Sequence, residues 1–175
     1  MFKRLGLLTL SLAFSGAAFA QSGAAVREQM FGPTDALKAS ADAVHAKVLG
    51  PAAYEQAMEL YKDAGDTLAK GKDINSVKED LTKANGLFQK STDAAKLAQV
   101  TFADAITART SAEKAEAAKY ATKDWNKGES TLKDAAEQLE DGNLNKAQKT
   151  VDGAKKYYQA AETKAVNEKA KAAHK

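Results

Sequence analysis

Few side chains in this sequence are of the types that carry out catalysis or bind metal ions. The two histidines, His45 and His174, have no histidine, cysteine or carboxylate four residues away, as a metal site on a helix requires. The chain contains no cysteine, no phosphate-binding glycine loop and no metalloprotease or serine-hydrolase motif. We therefore predict a protein that is not an enzyme, with no catalytic residue, cofactor or metal ion.

Carboxylates are frequent, but they alternate with lysines at helical spacing, as along Glu137, Glu140 and Asp141. This pattern is typical of a solvated helix face whose ion pairs join residues three or four apart. An acid–base pair would also need a pocket to shift its pKa, and a thin bundle offers little pocket. The carboxylates are therefore interpreted as surface charge.

Three aromatic residues are candidate contacts with a partner: Trp125, Tyr157 and Tyr158. Their rings could bind a protein or a glycan. They also fall at core positions of the helical pattern described below, and packing in the core is the favoured interpretation.

The first twenty residues have the three parts of a secretory signal peptide. Lys3 and Arg4 supply positive charge, an apolar run follows, and the segment ends in small residues up to Ala20. Cleavage is expected between Ala20 and Gln21. The apolar run is shorter than the roughly twenty residues that span a bilayer, so no membrane span should remain, and we expect a periplasmic or secreted protein.

Loss of the signal also changes the charge balance. The 26 basic residues of the chain fall to 24 without Lys3 and Arg4, against 23 acidic residues. This near balance gives no argument for binding nucleic acid. Abundant alanine, lysine and leucine with only two prolines indicates long helices.

The sequence matches itself when it is shifted by 71 residues, and by 70 after one deleted residue in a turn. The matched pairs are Ser40 with Ser111, Tyr54 with Trp125, Lys62 with Lys133, Leu68 with Leu139, Gly71 with Gly142, Ile74 with Leu144, and Leu87–Phe88 with Tyr157–Tyr158. Alanine-rich chains also match themselves by accident, but aromatic and glycine matches are not of that kind. We predict two tandem helical-hairpin repeats in an elongated, antiparallel all-α bundle.

Within each repeat, apolar residues at helical spacing define the helices. In the first repeat, Gly50–Pro51 should interrupt and Gly71 should end a helix, and Ser76 with Glu79 fits a capping box. A buried heptad follows: Val77, Leu81, Ala84, Phe88, Ser91, Ala95, Ala98, Phe102 and Ala105. The helix that carries this heptad could end near Tyr120, or continue through to Glu140 as one rod of about 95 Å.

The resulting organisation is a signal peptide over 1–20, a flexible segment over 21–33, repeat 1 over 34–105, repeat 2 over 106–165 and a flexible end over 166–175. Gly71 and Gly142 are expected in a left-handed conformation. Gly65 and Gly128 fall inside helices, where alanine should be neutral or stabilising if the helix contact tolerates a methyl group.

One stretch resembles a bacterial envelope module of unknown function, often found in lipoproteins or before an OmpA-like peptidoglycan-binding domain. The resemblance rests on Ala108–Arg109, Ala117 to Ala121, Trp125, Leu139 to Asn143, Ala147, Ala154, Tyr157 and Ala160 to Glu162. Thr122 replaces the usual proline, the lipoprotein cysteine is missing and no OmpA-like domain follows. The resemblance implies a helical envelope module and no defined activity.

These observations predict a non-enzymatic scaffold or adaptor of the bacterial cell envelope. Its partner would be an envelope or peptidoglycan-associated protein. The alternative is an extracytoplasmic chaperone or carrier that binds unfolded outer-membrane proteins or lipid.

Overall fold

The computed structural model describes residues 16–173, with side chains described over 23–172. Eight helices and no strand are present among these residues, which confirms the all-α prediction. The helices are α1 (Gly16–Ala43), α2 (Ala46–Leu49), α3 (Pro51–Ala69), α4 (Ile74–Thr101), α5 (Ala103–Lys114), α6 (Ala117–Tyr120), α7 (Thr122–Glu140) and α8 (Leu144–Ala173).

The helices pack as two groups that follow one another along the chain. The first bundle consists of α1 to α4, with α4 packed against α1, α2 and α3. The second bundle consists of α5 to α8, with α8 packed against α5, α6 and α7. Contacts between the bundles are fewer and involve mainly α7 with α2, α3 and α4. The end of α7 meets the start of α3, so the bundles are joined end to end.

The helix bounds recur along the chain at the offsets of the sequence match. From α2 to α6 and from α3 to α7, every bound moves by 71 residues, and α8 begins 70 residues after α4. His45 and Glu116, which precede α2 and α6, both have left-handed backbone conformations, with φ of 57° and 63°. Two copies of one module would explain this recurrence, and that origin stays a prediction.

The turns after α3 and α7 contain Gly71 and Gly142, with φ of 62° and 79°. The left-handed conformation expected of both glycines is confirmed. Only glycine adopts it without steric cost. Each chain reversal therefore depends on the one residue that lacks a Cβ atom.

The predicted heptad is also confirmed as the buried face of α4 and the start of α5. Every member, from Val77 to Ala105, is at most 4% exposed. The helix is interrupted at Phe102, which has φ of −110° and separates α4 from α5. The predicted repeat boundary between 105 and 106 therefore lies inside α5.

The open choice at Tyr120 is resolved in favour of a break. The chain leaves helical geometry at Glu116 and again at Ala121, so α5, α6 and α7 are separate helices. No proline or glycine is needed at this break. A continuous rod to Glu140 is therefore wrong.

Two local predictions need correction. The capping box of Ser76 and Glu79 is wrong, because α4 begins earlier, at Ile74. Its N-cap is Asp73, whose carboxylate accepts a hydrogen bond from the N–H of Asn75 at 2.9 Å. The described part of the segment 21–33 is helical rather than flexible, because the ring of Phe31 is fully buried against Ala64, Val77 and Leu81.

The segment 166–175 continues α8 as far as Ala173. Most of its described side chains are exposed. Lys169 nevertheless forms an ion pair with Glu116, which fixes this part of α8 to the break before α6.

Candidate functional site

The predicted aromatic contacts of the second bundle do not share one environment. Tyr158 is fully buried, so its assignment as a partner contact is wrong. Its ring packs edge-to-face on that of half-buried Trp125, with centroids 5.6 Å apart. Tyr157 is half-buried under the ammonium group of Lys127, at 5.4 Å. Trp125 and Tyr157 keep some exposed surface, and their role as contacts stays a prediction.

A polar network surrounds Tyr158 and joins three helices. The Tyr158 hydroxyl donates to Glu129 of α7 at 2.6 Å. Arg109 of α5 donates to both oxygens of the same carboxylate, at 2.7 and 3.0 Å, and its guanidinium lies 5.2 Å from the centre of the Trp125 ring. Each of α5, α7 and α8 therefore contributes one member of a single hydrogen-bonded group.

The electrostatics of this network favour structure over catalysis. Burial, and then the hydrogen bond to Glu129, raise the pKa of Tyr158 well above its ordinary value. The hydrogen bond to Glu129 raises the pKa of Arg109. Tyr158 thus stays a hydrogen-bond donor and Arg109 a cation at any physiological pH. A tyrosine that holds its proton this firmly cannot act as a base.

The first bundle has a related but smaller network. Asp42 accepts hydrogen bonds from Lys38 at 2.7 Å and from the hydroxyl of Tyr54 at 2.5 Å. The Tyr54 ring packs on Phe88 with centroids 5.7 Å apart. Phe88 is the sequence match of Tyr158 and has no hydroxyl, so here the hydrogen-bonding tyrosine comes from α3 instead.

Gly128 is required by the position of Tyr158. A Cβ atom at Gly128 would lie 2.6 Å from Cε1 of the Tyr158 ring, well inside van der Waals contact. The expectation that alanine would be tolerated here is wrong, because the ring occupies the space of the methyl group. The matched residue of the first bundle is Ala57, which packs near Phe88.

The first bundle contains a groove between α1 and α4, which we call the first groove. Its volume is about 710 Å³. The residues that line it are Val26, Gln29, Met30, Pro33, Ile74, Lys78, Leu81, Thr82 and Asn85. The Asn85 Oδ1 atom is buried and has no hydrogen-bond partner within the described residues.

The second bundle has a cleft at the matching place, which we call the second cleft. It is lined by Val100, Thr101, Phe102, Ala103, Asp104, Ala105, Gln148, Val151, Asp152 and Lys155. Its volume is only about 160 Å³. Asp104 and Lys155 form an ion pair of 2.6 Å across it, at the positions matched by Pro33 and Asn85.

Large apolar side chains are exposed beside the second cleft. Val100 lines it and is 79% exposed, and Leu97, one turn earlier on α4, is 51% exposed. Leu144 is 53% exposed and lies one turn before Gln148, which also lines the cleft. We call Leu97, Val100 and Leu144 the apolar patch. The sequence pattern does not reveal it, because Leu97 and Val100 fall outside the buried heptad, whereas Leu144 continues the apolar spacing of α8 and is nevertheless exposed.

The remaining candidates form no site. His45 is exposed, and His174 lies outside the described residues. Across residues 16–173, no three histidine, cysteine, aspartate or glutamate side chains are grouped as a metal site would need. The proposed cleavage site, Ala20–Gln21, falls in the backbone of α1, whereas residues 1–15 lie outside the described part of the chain.

None of the helices in the described part of the chain combines the length and the apolar character that crossing a membrane requires. No protein-family model matches the chain, and no curated protein or solved structure is significantly similar to it.

Proposed function

We propose that the chain is a non-enzymatic scaffold or adaptor of the bacterial cell envelope, exported to the periplasm or secreted, that binds another envelope protein. The observation that carries the proposal is the apolar patch. When a partner covers exposed valine and leucine side chains, the free energy of binding becomes more favourable by about 25 cal/mol per Å² of buried apolar area. A cluster of large apolar side chains on the surface is typical of an interaction site.

The helical architecture suits a scaffold. The patch lies beside the break between α4 and α5, where the two bundles follow one another along the chain. The three-part leader over 1–20 supports export, since a positive start, a short apolar run and small residues before Gln21 are what signal peptidase recognises.

Cross-linking in intact cells tests the proposal. A photoreactive residue at Val100 should form an adduct with one envelope protein, identified by mass spectrometry, and Leu144→Ser should reduce the yield. The control places the same group at Lys72, which is exposed in the turn before α4, at the opposite end of that helix from the patch. Equal adducts at both positions, or none at Val100, would overturn the proposed interaction.

Export is tested separately by the intact mass of the protein from fractionated cells. We expect a chain that begins at Gln21, without the first twenty residues. A cytoplasmic protein that retains Met1 to Ala20 would contradict the assignment to the envelope.

One observation favours the carrier alternative. The first groove combines apolar and polar lining residues and includes a buried hydrogen-bond acceptor without a partner, which is the composition of a small-ligand site. It lies along the first half of α4, whereas the apolar patch lies at the end of α4 and the start of α8, so the two functions concern different surfaces.

A further inference from the structure

The two bundles differ at one matched place, where the first groove is wider than the second cleft. Asp104 and Lys155 bridge the second cleft with an ion pair of 2.6 Å. The matched residues of the first groove are Pro33 and Asn85, which cannot form such a pair. The volume available is accordingly about 710 Å³ rather than about 160 Å³.

The walls of the first groove are chemically distinct. On the α1 side, three of the four lining residues are apolar, namely Val26, Met30 and Pro33, and the fourth is Gln29. On α4, Lys78, Thr82 and Asn85 follow one another at helical spacing of four and three residues, and so form a polar row beside the apolar Ile74 and Leu81. An amphiphilic ligand would match both walls at once.

The charge of the groove indicates the charge of its ligand. Lys78 is the only charged residue among the nine that line it, and it forms no ion pair within the described residues. An anionic group would therefore meet a cation and no opposing carboxylate. A positively charged ligand would be repelled.

The unpartnered Oδ1 atom of Asn85 specifies a further feature of the ligand. This atom is covered in the structure, so the Asn85 amide must turn toward the groove to meet a ligand. A buried acceptor without a donor is unfavourable, so a ligand hydroxyl that bonds to it would be favoured. Asn85 lies about 10 Å along α4 from Lys78, since each helical residue rises 1.5 Å. The long, flexible Lys78 side chain can cover part of this distance, so the hydroxyl and the anionic group can belong to one head group.

We propose that the first groove binds a single-chain anionic lipid of the lysophosphatidylglycerol type. The acyl chain lies on the apolar wall of α1, the phosphate pairs with Lys78, and a glycerol hydroxyl donates to Asn85. The volume of the groove falls within the range of roughly 300–1,000 Å³ that is usual for small-ligand sites. This proposal rests on the carrier alternative and is independent of the apolar patch.

Native mass spectrometry and calorimetry on the purified full chain test the proposal, with lauroyl lysophosphatidylglycerol as the probe below its micelle concentration. We expect one lipid per chain. Monolauroylglycerol lacks the phosphate, and laurate lacks the hydroxyls, so both should bind more weakly. Equal binding of all three would mean that only the acyl chain is recognised and would overturn the assignment of the head group.

Two variants test separately how the width of the groove and the charge of Lys78 contribute to lipid binding. Pro33→Asp with Asn85→Lys copies the closing ion pair of the second cleft and should weaken lysophosphatidylglycerol binding at least tenfold. Lys78→Gln should weaken it about fivefold, as expected for an exposed charge pair, while the affinity for monolauroylglycerol stays the same. The matched control is Lys83→Gln, on the same helix but outside the groove, which should bind as the wild type.

Circular dichroism melts of each variant show whether the protein is still folded. A folded double variant that binds lipid normally would overturn the proposal. The proposal would also be overturned if Lys83→Gln weakened lipid binding as much as Lys78→Gln does. The anionic lipid would then be attracted by the positive charge of the protein as a whole and not by Lys78 in the groove. Binding of an acidic amphipathic peptide in the groove, with no binding of any lipid, would assign the groove to a protein partner instead. Cross-linking from Val100 concerns the opposite end of α4, outside the groove, so its outcome is separate.

Discussion

Among single residues, Gly128 and Tyr158 illustrate how one close contact determines what a position tolerates. The ring of Tyr158 is fully buried and lies where a side chain of residue 128 would begin. By contrast, Gly65 of α3 has nothing within 4 Å of the position that a Cβ atom would occupy. Both glycines lie inside helices, and the sequence around them does not distinguish them.

We expect Gly128→Ala to lower the free energy of unfolding by about 1–3 kcal/mol, because the methyl group forces the Tyr158 ring to move. Gly65→Ala is the matched control and should raise it by up to about 1 kcal/mol through helix propensity alone. Urea unfolding of both variants measures the difference. A stabilised Gly128→Ala protein would mean that Tyr158 does not pack against this helix.

The same tyrosine makes stability depend on alkaline pH. The folded chain keeps Tyr158 neutral above its ordinary pKa of 10.0, whereas the unfolded chain ionises there. The contribution of Tyr158 to the free energy of unfolding is therefore complete below about pH 10 and is lost as the pH rises further. The pKa values of Tyr54 and Tyr61 are also raised, first by burial, and add to this loss.

We expect Tyr158→Phe to cost about 1–2 kcal/mol at neutral pH, through the lost hydrogen bond to Glu129, and to flatten the decline of stability above about pH 10. The matched control is Tyr157→Phe. The Tyr157 hydroxyl forms no hydrogen bond within the described residues, so its removal should change the free energy of unfolding little. Urea unfolding across this pH range provides the measurement. Identical pH profiles for Tyr158→Phe and wild type would contradict the buried network.

At the scale of helices, the apolar pattern was sufficient to locate the buried face of α4, because the spacing of apolar residues along one helix defines the face that must be covered, whichever helices cover it. Helix starts were less predictable. Ser76 and Glu79 have the spacing of a capping box, yet Asp73 takes the cap position three residues earlier. Several polar residues compete for the same backbone N–H groups, and the turn after Gly71 decides which of them is in place.

We expect Asp73→Ala to lower the free energy of unfolding by about 1 kcal/mol, as is usual for the loss of an N-cap. Ser76→Ala should change it by less than about 0.5 kcal/mol, since the Ser76 hydroxyl makes no hydrogen bond within the described residues. Thermal melts distinguish the two positions. A larger loss for Ser76→Ala would restore the capping box and place the start of α4 later.

For the whole molecule, the important contacts join residues that are far apart in the chain, and local patterns do not reveal them. Glu140 looks like one more charge on a solvated face. In the structure its carboxylate accepts hydrogen bonds from the N–H groups of Ala52 and Ala53 at 2.9 and 3.1 Å, at the start of α3. The groove at Lys78 and the network at Tyr158 likewise require helices whose packing the sequence leaves open.

Glu140 therefore couples the two bundles. Its negative charge lies at the positive end of α3 and satisfies two N–H groups that have no partner within that helix. Lys133 of α7 and Glu55 of α3 add an ion pair of 3.0 Å nearby, but both side chains are largely solvated. Solvent weakens such a pair, so Glu140 should carry most of the polar coupling.

We expect Glu140→Ala to lower the free energy of unfolding by about 1–3 kcal/mol, the cost of leaving helix N–H groups without their charged acceptor. The amides of Ala52 and Ala53 should exchange with solvent faster, and thermal unfolding should broaden as the bundles melt less cooperatively. Asp141→Ala is the matched control, since this neighbouring side chain is exposed and has no partner within the described residues. If Glu140→Ala left both amides as protected as in Asp141→Ala, the hydrogen bonds of Glu140 would contribute nothing to the contact between the bundles.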